Sequence, residues 1–455
     1  MIIKRHSSDK TYHLIDERDY TYGNVYTAII GKNGSGKSRF IKSIIKEFLS
    51  PRLKFGGGVP VDYNYTVDTQ FKGKTEFISK PKKIIAVSTS PFDKFPLPRR
   101  HEQINNYAYL GLRDLNSSDL GLAYMSKIIN NLISIIFEDP SRASVIGRVL
   151  NYLGYDDTIS VHFRLTAPRS KLDSIFRSND AVNEFSEYLH SINNRSLDKN
   201  FYFDDDGKID EDKMIHTLKI VDGIFDSSSR FRFELNIDSN DIHISDGLYE
   251  VRNEFLFLIK SGMARLRAVT LSKNKGTQRI RISDASSGEQ SVVMAMLGIA
   301  SQIEDETLIC IDEPEICLHP EWQEKYIELL VNTFECYRNC QFIIATHSPQ
   351  VVSNLPDDNC YIMNMETGCC ESSKEYQYRS ADYQLASIFK APGHRNEYLN
   401  RIALNVFVKV GKNKNFDDED LGKLKVLNES FESIKSTDPL YDLILAINEM
   451  YRKYG

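Results

Sequence analysis

The stretch VYTAIIGKNGSGKSRFIKSIIKEFL, residues 25–49, decides the fold. Its first six residues are apolar and rich in branched side chains, as in a buried strand. Its last part places Phe40, Ile41, Ile44, Ile45 and Phe48 on one stripe at helical spacing. Between strand and helix, GKNGSGKS (31–38) fits G-x-x-x-x-G-K-[ST] in full. Gly34 and Gly36 let the backbone curl, so that successive N–H groups along Asn33, Gly34, Ser35, Gly36, Lys37 and Ser38 face one anion. A helix starting near Lys37 adds its positive end, Lys37 reaches β- and γ-phosphates, and Ser38 offers a hydroxyl to Mg²⁺. A glycine turn that merely precedes a helix would share some of this pattern. The strand before it and the helix after it make the phosphate reading specific.

Outward from this stretch, KKIIAVST (82–89), TLICID (307–312) and QFIIAT (341–346) are further short apolar runs. The amphipathic EWQEKYIELLVNTF lies between the last two. Strands alternating with helices imply an α/β fold with a mostly parallel sheet, and such sheets bind ligands at the carboxyl ends of their strands. Asp312 closes TLICID and is a candidate to hold Mg²⁺ through water. Glu313 follows, placed to activate an attacking water. Two acids after a strand also make a solvated turn. Here the apolar LICI delivers both carboxylates to the edge that carries the phosphate loop. His347 ends IIATHSP, about 34 residues after Glu313. A lone histidine is more often structural, but its place at a strand's carboxyl end makes it a candidate for the same edge.

A second loop lies about 250 residues downstream of the first. ISDASSGEQSVVMAML (282–297) sets Ser286, Ser287 and Gly288 directly before an apolar run. Backbone N–H groups and a helix start at such a place suit a polar ligand. The stretch by itself leaves open whose phosphate that is.

In order and spacing the phosphate loop, S-S-G-E-Q, D-E and T-H-S motifs resemble those of an ABC-type ATPase, specifically the branch holding SMC, RecF and OLD-family proteins. The resemblance implies an ABC-ATPase head that binds ATP and Mg²⁺ and dimerises head to tail, with ATP held between one head's phosphate loop and the other's signature loop. On that basis Ser287 and Gly288 contact the γ-phosphate bound by the opposite subunit, and His347 senses it. EICLHP (315–320) looks like the D-loop of this branch rather than that of a transporter. Two departures stand out. Glu289 occupies a position where many relatives have Gly, and Gln103 is the nearest residue to a metal-contacting glutamine. IIAVSTSPFDKF, DASSGEQSV and APGHRNEYL further resemble the PtuA-type ATPases of Septu and retron-associated antiphage systems. That resemblance implies a separate HNH-type nuclease partner and contact with nucleic acid, including retron-type RNA or DNA.

With 455 residues the chain is long for one domain, and its 41% hydrophobic and 26% charged residues are ordinary for a globular protein. The expected organisation is residues 1–115 as the first part of the head, 116–262 as an inserted helical and mixed α+β region, 263–375 as the second part of the head, and 376–455 as a helical tail. No apolar run reads as a membrane span and MIIKRHSSDKTYHL has no apolar signal core, so the expectation is a cytoplasmic protein without a membrane partner. A net charge of -6 argues against a chain coated in nucleic acid, though not against a local basic groove. The seven cysteines show no zinc-type spacing of two pairs and read as reduced thiols.

Three stretches carry competing readings. Arg265, Arg267, Lys273, Lys275, Arg279 and Arg281 fall in one run without an acid, either a phosphate-contacting hairpin or a solvated one. In the tail, Leu440, Leu443, Ile444, Ile447 and Tyr451 form an apolar stripe, which packs either on this chain or on a partner. Asp204 and Asp206 in FYFDDDG suggest metal chemistry, but no matching glutamate precedes them. The favoured function is an ATPase subunit, self-assembling as a dimer or higher oligomer, that regulates a partner nuclease in antiphage defence. The alternatives are a RecF- or SMC-like ATPase acting directly on DNA, and an OLD-like nuclease.

Overall fold

The structure is a computed structural model that describes residues 1–49, 71–97, 106–115, 119–191, 199–203, 208–224, 232–244, 252–377 and 379–455. Gln103, Asp204 and Asp206 lie outside the described residues. Contacts divide the chain into two compact units, residues 1–109 with 304–455, and residues 110–303.

The first unit is built on strands β1 (Ile3–Ser7), β2 (Thr11–His13), β3 (Val25–Ile30), β4 (Lys74–Phe77), β5 (Lys83–Ser88), β6 (Tyr107–Leu110), β12 (Thr307–Asp312), β13 (Gln341–Ala345), β14 (Cys360–Asn364) and β15 (Cys370–Ser372). Seven of them form one sheet in the order β15-β14-β3-β13-β12-β5-β6, and β2-β1-β4 form a separate antiparallel sheet. β3, β12 and β13 are buried along their whole length, which is why they read as unbroken apolar runs. Parallel register sets Asp312 opposite both Ala345 and Ser88, and Ile29 opposite Ala345. The carboxyl ends of β3, β12, β13 and β5 therefore share one edge. Phe40, Ile41, Ile44 and Ile45, on the helix Lys37–Phe48, are buried with Ile29, Ile84, Cys310 and Ile343 in one core cluster. The stripe predicted from spacing is this buried face.

The tail comprises helices Ala381–Ser387, Glu397–Asn413, Asp418–Phe431 and Pro439–Tyr454. Leu440, Ile444 and Ile447 are buried with Leu399, Val406 and Leu427 in a core of their own, and Leu443 packs partly against it. The stripe thus packs on its own chain, leaving Tyr451 exposed at its end. Asp438 fixes the start of the last helix. Its carboxylate accepts the N–H groups of Leu440 at 3.0 Å and Arg395 at 2.6 Å.

The second unit centres on an antiparallel sheet of β7 (Ile159–Leu165), β8 (Arg232–Ile237), β9 (Ile242–Ile244), β10 (Ala264–Lys273) and β11 (Gln278–Arg281), ordered β11-β10-β7-β8-β9. Because β10 pairs with β7, residues 263–303 pack with the insert, although by sequence they group with the second part of the head. The helix Ser287–Ala300 is buried on nearly every side from Val292 onward and packs on the helix Leu120–Glu138. A Cβ at Gly298 would stand 3.1 Å from Leu110 Cδ1 and 3.3 Å from Ile128 Cδ1, so glycine permits this close approach.

One correction concerns Leu120–Glu138. At 19 residues it is long and apolar enough to cross a membrane, contrary to the sequence expectation. Its apolar side chains have a different destination. Ile128, Ile129, Leu132, Ile133 and Ile136 are all fully buried in the unit's interior, as in a core helix.

Candidate nucleotide-hydrolysis site

The phosphate loop leaves β3 at Gly31 and enters the helix Lys37–Phe48 at Gly36. Gly34 and Gly36 have φ of 79° and 95°, in the left-handed region that glycine occupies without strain. A Cβ at Gly36 would come within 2.6 Å of the Phe71 ring. The helix has no side-chain cap, so its first N–H groups are directed into the loop. Ser35 Oγ is buried without a hydrogen-bond partner. An orphaned hydroxyl in a glycine cradle at a helix start fits a phosphate-bearing ligand.

Lys37 is buried, and its Nζ donates to the Gly31 carbonyl at 3.1 Å. The same ammonium lies 2.5 Å from Nε2 of His347, which the carboxyl end of β13 delivers. Burial lowers the Lys37 pKa, and the negative charges of Glu313, Glu315 and Asp312 oppose that shift. Burial, and then the Lys37 charge, hold His347 down to about 4, so its ring is neutral at physiological pH.

Ser38 Oγ donates to Asp312 Oδ1 at 3.0 Å. Burial pushes Asp312 up to about 7. The carboxylates of Glu313 and Asp93 add to the rise, while the Ser38 hydrogen bond and Lys37 counter it. A hydroxyl and a buried carboxylate paired beside a phosphate cradle fit Mg²⁺, whose charge would favour the ionised acid. Glu313 follows in a left-handed backbone conformation, φ 50°, unusual for a residue with a side chain. Its N–H donates to Ala345 O at 2.9 Å, and its Oε1 lies 3.7 Å from His347 Nε2.

Sequence reasoning missed two acids here. Glu315 accepts the Thr346 hydroxyl at 2.9 Å and the His347 backbone N–H at 2.5 Å, bracing the turn that carries His347. In the sequence it is one more polar residue after D-E. Asp93 is buried, accepting from Tyr109 Oη at 2.6 Å and the Phe95 N–H at 3.0 Å. It sits in SPFDKF, where no local pattern marks a buried acid.

Lys37, Ser38, Asp312, Glu313 and His347 thus converge at one sheet edge through strand register and loop exit. Residues 5–352 match the family described as AAA ATPase domain. The chain belongs to the AAA ATPase domain family. It is an ATPase by that membership, and the order of its motifs resembles that of ABC-type ATPases. It is similar to the Retron Vc95 probable ATPase of Vibrio cholerae serotype O1 biovar El Tor, 23% identical over 373 residues covering 74% of this chain and 68% of that protein. It is also similar to the Retron Ec83 probable ATPase of Escherichia coli, 26% identical over 164 residues, covering 32% of this chain and 29% of the relative. Among solved structures, the SMC head domain from Thermotoga maritima matches at 14% identity and a TM-score of 0.27, covering 82% of this chain and 98% of that one.

The loop of Ser286 to Gln290, which resembles a signature loop, belongs to the second unit of this AAA ATPase. Ser286 caps the helix Ser287–Ala300, accepting the Glu289 N–H at 3.2 Å, and leaves Ser287 exposed and Gly288 buried. Gln290 Nε2 donates to the Ala285 carbonyl at 2.8 Å, bracing the loop from behind. Glu289 accepts the Tyr155 hydroxyl and stands 3.6 Å from Lys273 Nζ, which lies 4.3 Å over the Tyr155 ring. Glu289 is therefore committed within its own unit, which accounts for an acid at that position.

Proposed function

We propose that this ATPase binds ATP with Mg²⁺ and dimerises head to tail around it, and that it regulates a partner nuclease in an antiphage complex of the cytoplasm. The convergence of Lys37, Ser38, Asp312, Glu313 and His347 at one sheet edge carries the reading. Asn33 to Ser38 hold the phosphates by backbone N–H groups, and Lys37 turns from Gly31 and His347 toward the β- and γ-phosphates. Ser38 and Asp312 hold Mg²⁺, which when bound neutralises charge on the phosphates. Glu313 orients the attacking water and accepts its proton, while neutral His347 offers a ring nitrogen toward the γ-phosphate.

Ser287 and Gly288, exposed side chain and helix start respectively, complete the partner head's site in this reading. The similarity to proteins named as retron ATPases supports a defence setting, and the PtuA-type resemblance supports an HNH-type nuclease as the partner.

Mixing inactive variants tests the shared site. Lys37→Ala and Ser287→Arg should each abolish turnover alone. Mixed dimers should recover part of it, since one of their two interfaces pairs an intact phosphate loop with an intact signature loop. Dimers that form without any recovery would count against the composite site.

A further inference from the structure

Backbone register sorts the basic run of the second unit onto two faces. On one face of the five-stranded sheet Val161, Phe163, Leu235 and Leu271 are buried. On the other, Arg164 of β7 stands directly opposite Arg265 of β10. Arg281 pairs with Thr270 and Arg279 with Ser272, so both belong to that same open face, about 6.8 Å apart along edge strand β11. Arg164, Arg279 and Arg281 are exposed and Arg265 is half-buried. Lys273, from the same run, points to the opposite face and is engaged by Glu289 and Tyr155.

Two like charges set directly opposite in an antiparallel pair destabilise it, and a sheet face that needs only solubility mixes both signs. Here none of the four arginines takes part in an ion pair among the described residues. The acid at these register positions, Glu234, is engaged by His162 at 3.9 Å. Arginine, with its planar fork of donors, matches phosphate oxygens better than the lysines that commonly protect an edge strand.

We propose that this open face binds the phosphate backbone of a nucleic acid through Arg164, Arg265, Arg279 and Arg281. The proposal adds a nucleic-acid contact to the function given above and rests on the antiphage setting proposed there. The face is also tied to the signature loop. Asp156 accepts the N–H groups of Lys275 at 3.0 Å and Gly276 at 2.7 Å in the β10–β11 turn, while the neighbouring Tyr155 donates to Glu289 in the first turn of the helix Ser287–Ala300. A backbone seated on the arginines therefore bears on the strands that hold Glu289.

The test uses the full chain and labelled single-stranded DNA and RNA oligonucleotides of mixed sequence. Affinity is followed between about 50 and 200 mM salt. Replacing Arg279 and Arg281 together with Glu should weaken binding at least tenfold, and replacing both with Ala should lower the log-log salt slope by about two. Thermal midpoints within the wild-type range establish that the variants are folded. Wild-type binding that survives both double variants undiminished overturns the face while leaving nucleic-acid handling intact. Absence of binding by the wild type to either oligonucleotide overturns the nucleic-acid contact itself, and the proposal with it. Preference for one oligonucleotide, lost in the variants, supports the face and identifies its ligand.

Discussion

Lys37 Nζ and His347 Nε2 lie 2.5 Å apart, joining the phosphate loop to the end of β13. An ammonium only donates, so Nε2 accepts, and it cannot at the same time give a proton to Glu313, 3.7 Å away. Glu313 and His347 therefore stand side by side without a hydrogen bond between them.

That relationship sets a pH dependence. With His347 held down to about 4 in the fold, the unfolded chain takes up a proton near pH 6.5 and the native site resists until about 4. The stability contributed by the neutral ring is complete above pH 6.5 and is lost as pH falls toward 4. Denaturation at stepped pH should show this decline in the wild type and less of it in His347→Gln. ATP turnover should show no histidine break near 6.5, and a break there that His347→Gln removes would contradict the neutral-ring assignment.

Asp312 works in the opposite sense. Burial raises it to about 7, so its charge destabilises the metal-free fold increasingly as pH rises from about 3.8 to about 7. Asp312→Asn should stabilise the protein in chelator at pH 8 by roughly 1–3 kcal/mol, read as a higher melting temperature. The same variant should lose the gain in stability that Mg²⁺ and ATP give the wild type. An unchanged or lower melting temperature in chelator would show that the wild-type charge is well compensated.

Glu315 is expected to act through His347. Glu315→Ala leaves the His347 N–H and the Thr346 hydroxyl without their acceptor and should lower kcat about tenfold to a hundredfold. KM for ATP should change little, because the phosphate loop is untouched. Glu315→Gln keeps one carbonyl acceptor and should recover part of the rate. Equal kcat in all three proteins would remove Glu315 from the account.

The tail gives a folding prediction. Ile447 is fully buried in the helical core, so Ile447→Asp should destabilise the tail by about 3 kcal/mol or more and open it to limited proteolysis. Tyr451→Asp, at an exposed position, should alter protection far less. Resistance of Ile447→Asp to the protease would mean that the stripe is not held by this core.

Much of the candidate site is legible in the sequence because its residues occupy loops next to strands and helices with strong local patterns. The phosphate loop, Asp312 with Glu313, and His347 each end or begin such an element, and parallel pairing of β3, β12 and β13 brings those ends together. Glu315 and Asp93 escaped notice because their role comes from partners 31 and 16 residues away, Thr346 and Tyr109, which no local pattern marks.

Local patterning carries the order of elements, the glycine cradle and the amphipathic stripes, since these follow from backbone sterics and from side-chain periodicity along one helix or strand. Tertiary structure decided where each stripe was buried. It seated Leu440, Ile444 and Ile447 on the chain's own tail helices, and it placed the apolar Leu120–Glu138 in a protein core. It also divided the basic run, sending Lys273 to Glu289 and Arg279 and Arg281 to the open face. Periodicity says which residues share a face, whereas strand pairing and packing decide what that face meets.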